Sequence, residues 1–128
     1  MHPAGPLARI SDGLPAEGEL PRRVDLSDGG TAWLLREQGR TVAYRNLCPH
    51  LDAPLDGCDD ETWDRVARLF VCSFHGATFS AQDGRCIDGP CRGSRLPPLE
   101  VRTTSEGLEL WPPPPLQLGS LTPRPGRP

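Results

Sequence analysis

Lysine is absent from the 128 residues: all 14 basic residues are arginine, against 17 acids, for a formal net charge of −3. A balance this close to neutral gives no general reason to expect a nucleic-acid partner or an anionic membrane surface. The exclusive use of arginine reads as the coding bias of a GC-rich genome. Long apolar runs are also missing, and no stretch approaches the roughly 18 residues needed to cross a bilayer. Met1-His2-Pro3-Ala4-Gly5-Pro6 lacks the basic segment and apolar run of a signal peptide, and Arg22-Arg23 leads into polar sequence. These absences lead us to expect a cytoplasmic protein with no membrane partner. No internal repeat is visible, and no segment keeps a helical period over three turns. Cysteine is odd in number, five in all, which argues against a secreted disulfide framework.

What is present reads as short strands between turns. Leu7–Ile10 suits an edge strand, and Leu20–Leu26 and Thr31–Arg36 flank the turn cluster Ser27-Asp28-Gly29-Gly30. Gln38-Gly39 then turns the chain into Thr41–Asn46. After a polar, irregular stretch in which 61–68 is expected to form a turn of helix, Leu69–Val71 reads as a short buried strand. Ala77–Ser80 and Arg85–Ile87 surround Gln82-Asp83-Gly84, and Leu99–Thr103 and Leu108–Trp111 surround Glu106-Gly107. Eight or nine strands at this spacing predict an all-β antiparallel sandwich or small barrel. Seven of the 16 prolines follow Trp111, so the expected division is a flexible N-terminus over 1–6, one domain over 7–111 and a Pro-rich tail over 112–128. The four consecutive prolines favour an extended polyproline II arm that cannot join the sheet. That arm is either a plain extension or a partner-binding segment.

Both histidines outside the N-terminus lie in two short pairs, Cys48-Pro49-His50 and Cys72-Ser73-Phe74-His75. Each pair follows a predicted strand, so both can hang from neighbouring strand ends and meet. Two thiolates and two imidazoles suit either a closed zinc site or a 2Fe-2S centre with histidines on one iron. Zinc favours a wider first step than Cys-x-His. In the cluster reading Cys48 and Cys72 bind one iron and His50 and His75 the other, so each loop spans two metals.

These pairs, with the buried strand into Cys72, Gly76, Phe79, Gly84 and Gly89-Pro90, resemble the Rieske 2Fe-2S proteins of the soluble ferredoxin kind over about 7–111. The resemblance implies a Rieske-like sandwich or small barrel with a cluster-binding subdomain of two loops. It implies one 2Fe-2S cluster held by Cys48, His50, Cys72 and His75, the histidines binding through Nδ1 with Nε2 towards solvent. Gly89-Pro90 resembles the loop that shields a third side of the cluster. High-potential members carry a disulfide between the two loops and hydroxyl donors to the cluster sulfurs. At the matching positions this chain has Ala53 and Phe74, then Ala77 and Phe79. Without those donors the reduced cluster is less stabilised, and the expected potential is low, about −150 mV in a family range reaching about +300 mV.

The resemblance implies an electron-transfer protein, not an enzyme by itself: a ferredoxin carrying single electrons from a flavin-dependent reductase to a terminal oxygenase or other redox enzyme, as a monomer. Two alternatives stand beside it, a Rieske-like small or regulatory subunit of a larger reductase of the nitrite-reductase type, and a zinc-stabilised interaction module. No substrate pocket, mononuclear iron site or flavin-binding fingerprint is legible. The 21 residues between His50 and Cys72 carry Asp52, Asp56, Asp59, Asp60, Glu61 and Asp64 against the lone Arg65 up to Val66. That loop would set negative potential where a basic partner docks, or is a merely solvated acidic face. Trp63 is expected to pin the loop by packing. Cys86 and Cys91 read as small buried hydrophobes, with a disulfide or thiol switch as the sharper alternative. Cys58 and His2 have no assigned role.

Overall fold

Consecutive apolar residues in the middles of β3 (Thr31–Glu37) and β4 (Arg40–Arg45) divide the interior of the protein in two. Successive side chains of a strand point to opposite faces. Ala32 and Leu34 of β3 and Ala43 of β4 therefore enter one core, with Ile10, Val24, Leu26, Leu99, Leu108 and Leu110. Leu35, Val42 and Tyr44 enter another, which contains Cys48 and Cys72. The structure, a computed structural model, describes residues 5–49, 53–57, 62–73, 76–90 and 93–113.

The first core lies inside a six-stranded antiparallel sheet. In spatial order it runs β1 (Ala8–Ile10), β10 (Gly107–Trp111), β9 (Pro98–Thr104), β4, β3 and β2 (Arg22–Asp25). Its outer strands approach each other, since the Leu7 carbonyl accepts from the Ser27 amide at 2.8 Å and the Leu7 amide donates to Leu110 at 2.6 Å. The sheet is thus almost closed into a barrel, which removes most of its edge. The second core is covered by a four-stranded antiparallel sheet, β5 (Trp63–Asp64), β6 (Leu69–Val71), β7 (Thr78–Ser80) and β8 (Cys86–Asp88).

Turn chemistry fixes the registers. Gln38 and Gly39 both have positive φ, 52° and 79°, the left-handed pair that a two-residue hairpin turn between twisted strands requires. Their amides donate to the Glu17 carboxylate, which these two hydrogen bonds hold below its ordinary pKa. At the same end of the barrel, since β9 runs antiparallel to β4, Gly107 brings the β9–β10 turn against the Ile10 carbonyl. A Cβ there would lie 2.0 Å from that oxygen.

The all-β architecture matches the sequence expectation, with one correction. Among the described residues there is no helix, and the turn of helix expected over 61–68 is instead β5 followed by a turn into β6. The reason is local: the Asp64 side chain accepts from the amides of Val66 and Ala67, and Arg68 takes a left-handed φ of 56°. An aspartate closing its own turn competes with a helix.

Phe70 is the hub of the second core. Trp63 packs edge-on to it at 5.0 Å between ring centroids, Tyr44 at 6.0 Å, and Trp33 lies tilted at 6.1 Å. Trp63 is thus the packing residue expected, and the Arg68 guanidinium covers its outer side at 5.0 Å. Arg68 also binds the Glu37 carboxylate, joining the β5–β6 turn to the end of β3. Tyr44 donates to the Ala81 carbonyl at 2.9 Å, tying β4 to the β7–β8 turn.

Burial of Tyr44 pushes its phenol well above the ordinary value of 10, with Asp83 adding to the rise. The folded state therefore favours the neutral phenol. Its contribution to stability is complete below pH 10 and falls as pH rises beyond it. As Tyr44 is the single tyrosine of the chain, we expect no phenolate absorbance from the folded protein at pH 10, and about half-ionisation after denaturation at that pH. Half-ionisation in the folded protein at that pH would contradict the burial.

Candidate metal centre

Cys48 and Cys72 stand at equivalent places, each just beyond a strand that enters the second core. Cys48 follows β4 by three residues and Cys72 follows β6 directly. Both are completely buried, in the same cluster of apolar side chains. Each opens a loop closed in the same way. The Cys48 amide donates to the carbonyl of Ala53 at 2.7 Å, and the Cys72 amide to the carbonyl of Ala77 at 2.8 Å. The second loop is tightened by Gly76, whose amide donates to the Cys72 carbonyl at 2.8 Å.

His50 and His75, the other two residues singled out in the sequence, fall within these loops but outside the described residues. Phe74, Cys58 and Cys91 lie outside them as well, as do His2 and the tail from Pro114. A bridge or switch between Cys86 and Cys91 thus also lies outside the described residues. Cys86 itself is buried, with its thiol 3.4 Å from the Asp88 carbonyl.

A brace not anticipated from the sequence joins the two loops. Both the amide and the hydroxyl of Ser73 donate to the Leu55 carbonyl, at 2.8 and 2.5 Å. The Leu55 amide in turn donates to the Asn46 side-chain oxygen at 2.9 Å. Asn46 is buried, and its amide group donates to Thr31 at 3.1 Å and Asp56 at 3.0 Å. The first cysteine loop is thereby fixed to the barrel on one side and to the second loop on the other. In sequence, a lone Asn just before a cysteine reads as a turn residue, so the only possible signal was its place between strand and loop.

Gly89 packs against the end of the second loop. With φ at 110° its backbone lies so near Ala77 that a Cβ would come within 2.7 Å of the Ala77 Cα. The Gly89-Pro90 segment thus rests directly on the carbonyl-bearing end of the Cys72 loop. Ala77 and Phe79, facing this region, are fully buried and carry no hydroxyl. The acidic stretch is used in part for structure: Asp56 faces Arg23 at 3.4 Å beside Asn46, and Asp64 holds its turn. Asp52, Asp59, Asp60 and Glu61 lie outside the described residues.

Known proteins share this arrangement of strands and loops. A family model described as the Rieske [2Fe-2S] domain matches residues 7–107. Among curated proteins, cholesterol 7-desaturase of Caenorhabditis elegans is 32% identical over 75 residues, 57% of this chain and 16% of that protein. The oxygenase component of chloroacetanilide N-alkylformylase from Rhizorhabdus wittichii is 29% identical over 94 residues, 73% of this chain and 23% of that one. The chain therefore spans less than a quarter of the length of these relatives.

Among solved structures, the ferredoxin of carbazole 1,9a-dioxygenase from Nocardioides aromaticivorans aligns with a TM-score of 0.56 at 21% identity, over 85% of this chain and 94% of that one. The terminal oxygenase of the same system aligns with a TM-score of 0.58 at 22% identity, over 97% of this chain and 33% of the oxygenase. At these identities the likeness establishes the fold. The cofactor of the matched domain is a 2Fe-2S cluster, and the residues present fit one. Two buried thiols open matching loops, each loop includes one histidine of the sequence, and a glycine cradle permits close approach.

The cradle can be tested directly. Gly89→Ala is expected to cost about 1–3 kcal/mol more than Gly29→Ala, because both sites have positive φ but only Gly89 meets a neighbouring backbone. Chemical denaturation of the two variants measures the difference, and equal losses would contradict the close contact.

Proposed function

The chain belongs to the Rieske [2Fe-2S] domain family, and on that premise we propose that it carries single electrons to an oxygenase, using one cluster held by Cys48, His50, Cys72 and His75. The observation that carries this reading is the pair of matching loops, each opened by a buried cysteine and closed five residues later. When bound, such a cluster supplies reversible one-electron chemistry.

The residues of the chain do the rest. Cys48 and Cys72 place thiolates inside the protein, where the apolar side chains of Leu55, Phe70, Phe79 and Leu96 keep out water. His50 and His75 would supply neutral imidazole ligands to the bound cluster. Ser73, Leu55 and Asn46 keep the two loops in register, which would limit the movement of a bound cluster's ligands. Ala77 and Phe79 withhold the hydroxyl donors that would favour the reduced state.

The partners proposed are a flavin-dependent reductase upstream and a terminal oxygenase downstream, with the protein acting as a cytoplasmic monomer. The functional unit is 7–111, with 112–128 as an appended arm. Support for a separate carrier comes from the ferredoxin that this chain covers over 94% of its length. No helix among the described residues is long and apolar enough to cross a membrane. A second reading is favoured by a different observation. The curated relatives include an oxygenase component, matched over only 23% of its length, so the chain would then be the electron-accepting portion of a larger oxygenase.

Stopped-flow mixing separates the two readings. A carrier is reduced by the reductase in a single one-electron step and reoxidised by a separately added oxygenase. Electron transfer that requires covalent attachment to an oxygenase would overturn the carrier reading. The potential gives a further test: we expect a midpoint near −150 mV, raised in the combined variant Ala77→Ser with Phe79→Tyr. A midpoint well above zero in the unaltered protein would refute the proposed tuning.

A further inference from the structure

Unpaired positive charge gathers at the pole opposite the cysteine loops. Most arginines in the described residues have a built partner: Arg9 pairs with Glu109, Arg23 with Asp56, Arg36 with Glu17, Arg45 with Asp28, Arg68 with Glu37 and Arg102 with Glu100. Arg22 donates to the carbonyls of Asp12 and Gly13. Arg40, Arg65, Arg85 and Arg95 are all exposed and have no such partner among the described residues, and Arg40, Arg85 and Arg95 gather around one place, apart from Arg65. Arg85 and Arg95 face each other across an antiparallel bridge, and Arg95 and Arg40 line one cleft. Like charges directly opposite on paired strands repel. The acid of this cleft, Asp83, is a single carboxylate that also accepts the Arg85 amide.

The cleft has a volume of about 300 Å³ and opens between β4 and β9. The ladder joining these strands ends at Ala43↔Leu99, although β4 extends to Arg40 and β9 to Thr104. Because the Arg45 amide donates to the Pro97 carbonyl, alternation along an antiparallel ladder makes Thr41 and Val101 the next residues whose backbone groups face across the gap. The apolar sides of Val42, Leu99 and Val101 line it between these polar edges. The neighbouring hairpin tips are held together by Gln82, whose side-chain amide donates to Gln38. The cleft is therefore a built feature with open strand edges and uncompensated positive charge.

We propose that this cleft docks an extended acidic segment of a partner protein, which adds its backbone to the edges at Thr41 and Val101 and sets its carboxylates against Arg40, Arg85 and Arg95. Open edges give such a segment backbone hydrogen bonds, and the guanidiniums select its charge. A small anion uses the guanidiniums alone. Arg40 begins the strand that leads to Cys48 eight residues later, about 25 Å along an extended chain. The contact would accordingly tether a partner without standing in the path of the electron, and it is independent of which cofactor the loops hold.

The test uses the full-length protein with its metal centre and a short labelled peptide of alternating Glu and Thr. Binding is followed by anisotropy at low salt and by amide NMR. We expect shifts confined to Arg40–Ala43, Asp83, Arg85, Arg95 and Leu99–Val101. The same peptide with Gln for Glu, and the variant Arg40→Ser with Arg85→Ser and Arg95→Ser, should each bind about tenfold more weakly. The visible spectrum and melting of that variant should be unchanged. Equal binding by the variant, shifts centred on Cys48 and Cys72, the same shifts from sulfate at equal concentration, or no binding would each overturn the proposal.

Discussion

The Leu55 carbonyl, accepting both the amide and the hydroxyl of Ser73 while the Leu55 amide donates to Asn46, is the point through which the two cysteine loops and the barrel are held together. All of these groups are buried or nearly so, and a buried polar group left without its partner costs about 1–3 kcal/mol. The brace is thus self-consistent in a strict sense, because loss of any one member exposes the others. It lets two loops from different sheets present their cysteines to one place, which neither loop could specify alone.

The rest of the architecture serves the same end. Opposite-facing apolar side chains along β3 and β4 give one sheet two cores, so the barrel is packed on one face while the other receives Phe70, Phe79 and both cysteines. Arg68, with its left-handed backbone, pins the β5–β6 turn to Glu37 and covers Trp63. Gly89, lacking a side chain, lets its loop come down on Ala77. Each device places a loop against a rigid sheet, and none of them is itself a donor to a metal.

Much of this was legible in the chain. Short runs of strand-forming residues between turn clusters predicted β1 to β4 and β6 to β10; β3 and β4, whose side chains enter two cores, show as short apolar runs instead of alternation. β5 escaped notice since two residues, Trp63 and Asp64, are too few to show a period. The helical turn expected beside it failed on Asp64, whose side chain closes a tighter turn. The cysteine pairs stood out by residue type and spacing. The brace around Asn46 did not, since it joins residues 46, 55 and 73 through contacts that no local pattern encodes. The acidic stretch looked uniform in sequence, yet Asp56 and Asp64 are spent on structure.

Nitrogen hyperfine coupling in the reduced protein tests the ligand assignment most directly, when measured by pulsed EPR beside iron and sulfide analysis. The account predicts equal amounts of iron and sulfide, two of each per chain in keeping with a 2Fe-2S cluster, and coupling to two imidazole nitrogens. One such coupling should be lost in each of His50→Cys and His75→Cys. A spectrum without imidazole coupling, or zinc in place of iron, would contradict it.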